Sequence, residues 1–165
     1  MKYMLFAFCA LFVSLPVASD AEETANNPLE PPAPAGHYVA GLGEIMAETQ
    51  MRHAKLWFAG NAGNWGLADY ELNEIKEGFE TVTKFHPVFN NIPLATLLDS
   101  ITGRPLNNVR SAIEARNTER FNKSFIELTA ACNSCHSAAN RKFIVITTPS
   151  ESPVSNQQYT LDAPG

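Results

Sequence analysis

Cysteine is scarce in this 165-residue chain: Cys9, Cys132 and Cys135 are the whole set. So few thiols, with histidines scattered at 37, 53, 86 and 136, count against a four-ligand structural zinc site. Positive charge is also short, 12 basic residues against 17 acidic ones. That argues against a nucleic-acid role, which wants a basic face. No apolar run is long enough to span a bilayer stably. The longest, from Met4 to Leu15, falls well short of the ~20 residues a spanning helix needs. We find no nucleophile beside a base, no paired carboxylates and no Gly-rich phosphate loop, so the chain does not read as an enzyme. No internal repeat is visible, and the remaining length suits one domain.

What is present begins with a secretory layout. Met1-Lys2-Tyr3 carries one positive charge, the apolar run follows, and Ala18-Ser19 supplies small residues for cleavage. Residues 1–19 are read as a signal peptide, cut after Ser19 or Ala21. The mature protein is then exported to the periplasm, with no stable membrane anchor after cleavage. Cys9 is discarded in this reading, because Phe8 stands where a lipoprotein signal would carry a small residue. Residues 20–37, with Asn26-Asn27-Pro28, Pro31-Pro32 and Pro34-Ala35-Gly36, read as a polar, Pro-rich, extended lead-in.

Removing the signal leaves a matched pair of thiols in Cys132-Asn133-Ser134-Cys135-His136. A CxxCH run is the attachment signature of a c-type haem. On a helix, positions i and i+3 share a face, so both thiols can reach the two vinyl groups at one porphyrin edge. His136, at i+4 from Cys132, lies on the same side. The expectation is one covalent haem c, held by thioethers at Cys132 and Cys135, with a neutral His136 as the proximal iron ligand. Half of a zinc site, a redox dithiol and a structural disulfide are the alternatives. A redox CxxC normally opens a helix in a βαβ unit. Here the motif sits inside a long helical pattern with no strands before it.

The rest of the chain is helical in period. Val39, Leu42, Met46, Thr49, His53 and Leu56 fall at steps of three and four, predicting a first helix from Tyr38 to Gly60, ended by Gly60-Asn61-Ala62-Gly63. Asn64 can cap a second helix whose stripe is Ala68, Leu72, Ile75, Phe79 and Val82, running to about Lys84 and stopped by His86-Pro87. Residues 89–93 are a connection. Leu94, Leu98 and Ile101, then Leu106, Val109 and Ile113, predict a third helix broken in two at Gly103-Arg104-Pro105. Asn117 or Thr118 caps a fourth, with Phe121, Phe125, Leu128, Cys132, Cys135 and Ala139 on its inner stripe. The expected fold is all-α: an antiparallel up-down-up-down four-helix bundle over residues 38–143, with the Pro-rich lead-in before it. Phe143-Ile144-Val145-Ile146 can pair as a strand or lie along the bundle, and residues 144–165 read as an extended polar tail. Trp57, Phe58 and Trp65 are expected to close one end. His37 and His86 are expected at the surface.

With this layout the chain resembles the class II c-type cytochromes, the group of cytochrome c-prime and cytochrome c-556. The resemblance covers residues 38–143 and rests on four helices with a single CxxCH near the end of the last. Arg141 and Lys142 resemble the basic residues that follow the motif in that family. The Pro-rich lead-in, the interrupted third helix and the polar tail depart from it and suggest a divergent branch. The resemblance implies that a side chain on the first helix faces the far side of the iron. A ligating Met there gives a six-coordinate haem suited to electron transfer; a residue that cannot ligate leaves five-coordinate iron open to nitric oxide or carbon monoxide. Met46, Met51 and His53 are the candidates. Met51 lies about 140° round the helix from Met46, at ~100° per residue, and so points off the stripe. Met46 and His53 share the stripe but stand about 10 Å apart at ~1.5 Å per residue, so only one can reach a single iron. Antiparallel first and last helices favour Met46 as distal ligand, with His53 the alternative. Tyr38, Ile45 and Phe125 are candidates to pack on the ring. The leading expectation is a monohaem electron carrier working with redox partner proteins. A gas-binding five-coordinate protein comes second, and a helical zinc or dithiol protein third. Homodimers are common among the related bundles.

Overall fold

A computed structural model describes residues 38–161. The signal peptide with Cys9, the Pro-rich lead-in with His37, and the last residues of the tail lie outside the described residues. The chain is mainly helical, with α1 (Leu42–Asn61), α2 (Trp65–Phe85), α3 (Leu94–Glu114) and α4 (Thr118–Ala138). The helix-to-helix connections 1–2 and 3–4 are built by one device used twice. Gly63, at φ +70, ends α1 so that the Asn64 N–H reaches Ala59 O at 2.9 Å and the Gly63 N–H reaches Gly60 O at 3.2 Å. This is a Schellman closure, which satisfies carbonyls left over at a helix end. Asn64 then caps α2, its side chain accepting from the Leu67 N–H at 3.1 Å. At the end of α3, Arg116 takes the left-handed position and Asn117 repeats both roles. Its N–H bonds Ala112 O at 3.1 Å, and its side chain accepts from the Arg120 N–H at 2.8 Å. One asparagine in each link therefore closes one helix and opens the next.

Three boundaries differ from expectation. α1 starts at Leu42 rather than Tyr38, because Gly41 offers no side-chain cap and Tyr38 stays 75% exposed, its hydroxyl donating to the Glu44 carboxylate. Gly60 lies within α1's last turn. It is small because a Cβ there would meet the Phe121 ring at 2.2 Å. α3 runs unbroken through Pro105. The proline lacks the N–H that would bond the carbonyl of Ile101. The flanking residues Leu98, Thr102, Leu106 and Val109 are all buried on one stripe, and that burial outweighs the lost bond. The α2–α3 connection is a small antiparallel hairpin, Val88–Phe89 with Ile92–Pro93. Asn90 and Asn91 at its tip both have positive φ, as a two-residue primed turn demands.

The core runs through all four helices: Leu56, Leu72, Ile75, Val82, Val109, Phe121, Phe125 and Leu128 are each at most 2% exposed. α1 lies close on α2, where Gly78 admits Thr49; a Cβ at Gly78 would come within 2.8 Å of the Thr49 hydroxyl. Glu71, fully buried on α2, is bracketed by Arg52 at 3.3 Å and Lys55 at 3.7 Å from α1. Arg52 also bonds Glu48 and Glu74, so the buried carboxylate is part of a network. Arg110 of α3 reaches Asp69 and Asn73 of α2 at 2.6 Å each. α3 and α4 pack closely, whereas α1 and α4 meet over a shorter stretch. That stretch is aromatic: Trp57 packs on Phe121 and Phe125, and Trp65 meets Phe121 edge-on. After α4, the described chain through residue 161 forms turns and irregular structure, with Tyr159 packed 5.4 Å from Phe58.

Candidate functional site

Cys132, Cys135 and His136 lie in the last two turns of α4. Cys135 is 9% exposed, Cys132 is half-buried, and both thiols are free. On the cysteine side of α4 is a cavity of about 330 Å³. Met46 and Leu42 of α1, Val82 of α2, and Leu94 and Leu98 of α3 line it together with Cys135 and His136. A smaller space of about 50 Å³ adjoins the same residues and adds Cys132, Thr102 and Phe79 to the walls. Met46, Cys135 and His136 border both. The larger volume falls at the lower end of the ~300–1,000 Å³ typical of ligand pockets. Its walls are apolar apart from the histidine, Gln50 and Arg141.

His136 is half-buried, and its Nδ1 stands 3.1 Å from the carbonyl oxygen of Ile144. A carbonyl can only accept, so Nδ1 carries a proton, and in the neutral ring Nε2 keeps its lone pair. This is the arrangement of a metal-ligating imidazole, whose second nitrogen donates to a backbone carbonyl. Burial pushes the Cys132 thiol up to about 11, with the neighbouring Cys135 sulfur adding to the effect, and raises Cys135 as well. Redox-active CxxC pairs have lowered thiol pKa values, so this pair is poorly suited to dithiol exchange. Among the described residues no three His, Cys, Asp or Glu side chains converge as metal ligands, which weighs against the zinc alternative.

The other candidates separate cleanly. Met46 joins the cavity. His53 does not. Its Nε2 is 2.9 Å from the Thr129 hydroxyl, and its ring lies 4.3 Å from that of Phe125. The hydroxyl is itself donating to Phe125 O at 2.9 Å, so it accepts from His53, which is a hydrogen-bonded core residue. Burial lowers the His53 pKa to about 4 and keeps the ring neutral. Met51 borders a different groove, between α1 and α2. Of the three side chains expected to pack on the ring, none lines the cavity: Tyr38 is exposed, Ile45 faces α2, and Phe125 sits among His53 and Trp57. His86, expected at the surface, is half-buried, and its Nε2 donates to Ala40 O at 2.8 Å.

Ile144 and Ile146, from the segment after α4 that the sequence allowed to pair as a strand or lie along the bundle, were not expected as cavity walls, nor was Gln50. A signal for the isoleucines was available. In Phe143-Ile144-Val145-Ile146, Phe143 and Val145 are 76% and 66% exposed, while Ile144, at 40%, and the half-buried Ile146 border the cavity. Arg141 also lines the cavity, its guanidinium 4.8 Å from the centre of the Phe89 ring and 5.9 Å from that of Phe143. No protein-family model, no curated protein and no solved structure matches this chain.

Proposed function

We propose that this chain is an exported, periplasmic monohaem c-type cytochrome that carries electrons between redox partner proteins, a divergent relative of the class II group. The observation that carries the reading is that Met46 on α1 and Cys135 and His136 on α4 border one apolar cavity from two helices. The bundle is read as up-down-up-down. In support, Met46 with His136, His53 with Thr129 and Trp57 with Phe121 run in opposite order along α1 and α4. Thr49 with Gly78 and Arg52 with Glu71 do the same along α1 and α2.

The donor set fits a haem. Two thiols on one helical face suit thioether attachment, and an imidazole with Nδ1 already engaged suits proximal ligation. When bound, the iron supplies a one-electron couple. Everything else falls to the chain. Cys132 and Cys135 fix the ring to α4, and His136 offers Nε2. Leu42, Leu94, Leu98 and Val82 exclude water, and Met46 offers a thioether from the opposite helix. Arg141, which lines the cavity, would supply positive charge for the carboxylates of a bound haem. The carrier reading involves no substrate turnover.

The test is direct. Protein matured with haem-attachment machinery should keep its colour through acid-acetone extraction and stain for haem on a denaturing gel; a colourless chain overturns the reading. Met46→Ala should convert a low-spin ferrous spectrum to a high-spin one and allow carbon monoxide to bind without displacing a ligand. The apolar space beside Met46 also suits a small diatomic gas. If the wild-type ferrous protein is already high-spin and binds carbon monoxide directly, the gas-binding alternative replaces the carrier.

A further inference from the structure

Asn133, the first of the two residues between the cysteines, has no part in the haem reading so far. The CxxCH pattern puts no demand on its identity. Yet its side-chain amide makes a two-point pair with the main chain of Ile146. Nδ2 donates to Ile146 O at 2.8 Å, and Oδ1 accepts from the Ile146 N–H at 2.7 Å. The chain returns there through the turn that ends α4. Asn140, at φ +58, lets the Arg141 N–H bond His136 O at 2.7 Å, and the Ile144 N–H then closes on Arg141 O at 2.8 Å. The result is a short strap, residues 144–146, laid along the last turns of α4 with its Ile144 carbonyl at His136 Nδ1. Phe143 and Val145 face outward and Ile144 is itself 40% exposed, so side-chain burial holds the strap weakly.

We propose that Asn133 is a positioning residue. By clamping Ile146 it holds the strap against α4, and the strap's carbonyl fixes the tautomer and orientation of His136. This rests on the haem reading for its purpose, since a proton held at Nδ1 keeps Nε2 free for iron and raises its basicity. The segment that looks like the start of a passive tail is then the wall behind the proximal ligand.

The test compares Asn133→Ala and Asn133→Asp with wild type, using the full chain as purified. Ala is the better helix former, so α4 should keep its circular dichroism. In Asn133→Ala, exchange of the Ile146 amide should accelerate by at least ~10-fold, and ¹⁵N shifts of His136 should lose the Nδ1–H pattern. In haem-loaded protein the ferric/ferrous equilibrium should move ~10-fold toward ferrous, a rise of ~59 mV for one electron. Asn133→Asp keeps an acceptor for the Ile146 N–H but loses the donor to its carbonyl, and should fall between the two. Unchanged Ile146 exchange overturns the clamp. Faster exchange with an unchanged His136 tautomer overturns the positioning role. A wild-type chain that takes up no haem removes the haem reading alone, because the exchange and tautomer measurements still decide the clamp.

Discussion

His53 and Met46 stand on the same stripe of α1, and the partner each meets from α4 separates them. Met46 opens onto the space beside Cys135 and His136. His53 meets Thr129 and Phe125 and is 4% exposed. The stripe itself was legible from spacing, but periodicity fixes a face and not a depth, so it could not decide which of the two reaches the cavity. The consequence is measurable. The His53 pKa falls from 6.5 to about 4 on folding, so the unfolded chain binds the proton more tightly. This contribution to stability is complete above pH 6.5 and is lost as pH falls toward 4, amounting to roughly 3–4 kcal/mol at ~1.4 kcal/mol per unit. His53→Leu should flatten the acid side of the stability curve in denaturant titrations between pH 7 and 4. Thr129 keeps its bond to Phe125 O, so no polar group is orphaned. The optical spectrum of the haem-loaded variant should not change. A shifted spectrum would make His53 the distal ligand after all.

At the level of elements, the asparagines were the most readable punctuation. Asn64 was expected as a cap and is one, and of the pair Asn117 and Thr118 it is Asn117 that caps α4. Their second duty, closing the helix before, depends on the left-handed residue ahead of each, which in one case is Arg116 and gives no warning in the sequence. Pro105 misled for the opposite reason. Local chemistry argues for a break, but four buried residues on its stripe keep α3 whole. Glu71 falls three residues after Ala68, hence on the stripe of α2, yet a carboxylate there reads as surface until Arg52 and Lys55 of another helix are known. If burial alone carries α3 across its proline, Pro105→Ala should restore the bond to the Ile101 carbonyl. The variant should gain ~1–3 kcal/mol, given the ~3 kcal/mol helix penalty of proline. Chemical denaturation with an unchanged slope is the measurement. A destabilised variant would mean that the proline ring is itself part of the packing.

Across the whole molecule the two ends differ in kind. At one end Trp57, Trp65, Phe121 and Phe125 bring α1, α2 and α4 together, with rings 4.9 to 6.5 Å apart and Gly60 pressed against Phe121. At the other end the same two helices, α1 and α4, border a cavity of about 330 Å³, and the strap of residues 144–146 forms part of its wall. Side chains around such a space lose packing partners, so this end should open more readily than the aromatic one. Amide exchange on chain purified without haem should therefore be fast over residues 42–50 and 132–139 and slow over residues 53–61 and 121–129. Covalent haem should slow the first group far more than the second, since the ring's axial ligation and side-chain packing exist only in the folded state and stabilise what they touch. Equal protection at both ends without haem, or uniform slowing on attachment, would mean that the ring is not seated between the start of α1 and the end of α4.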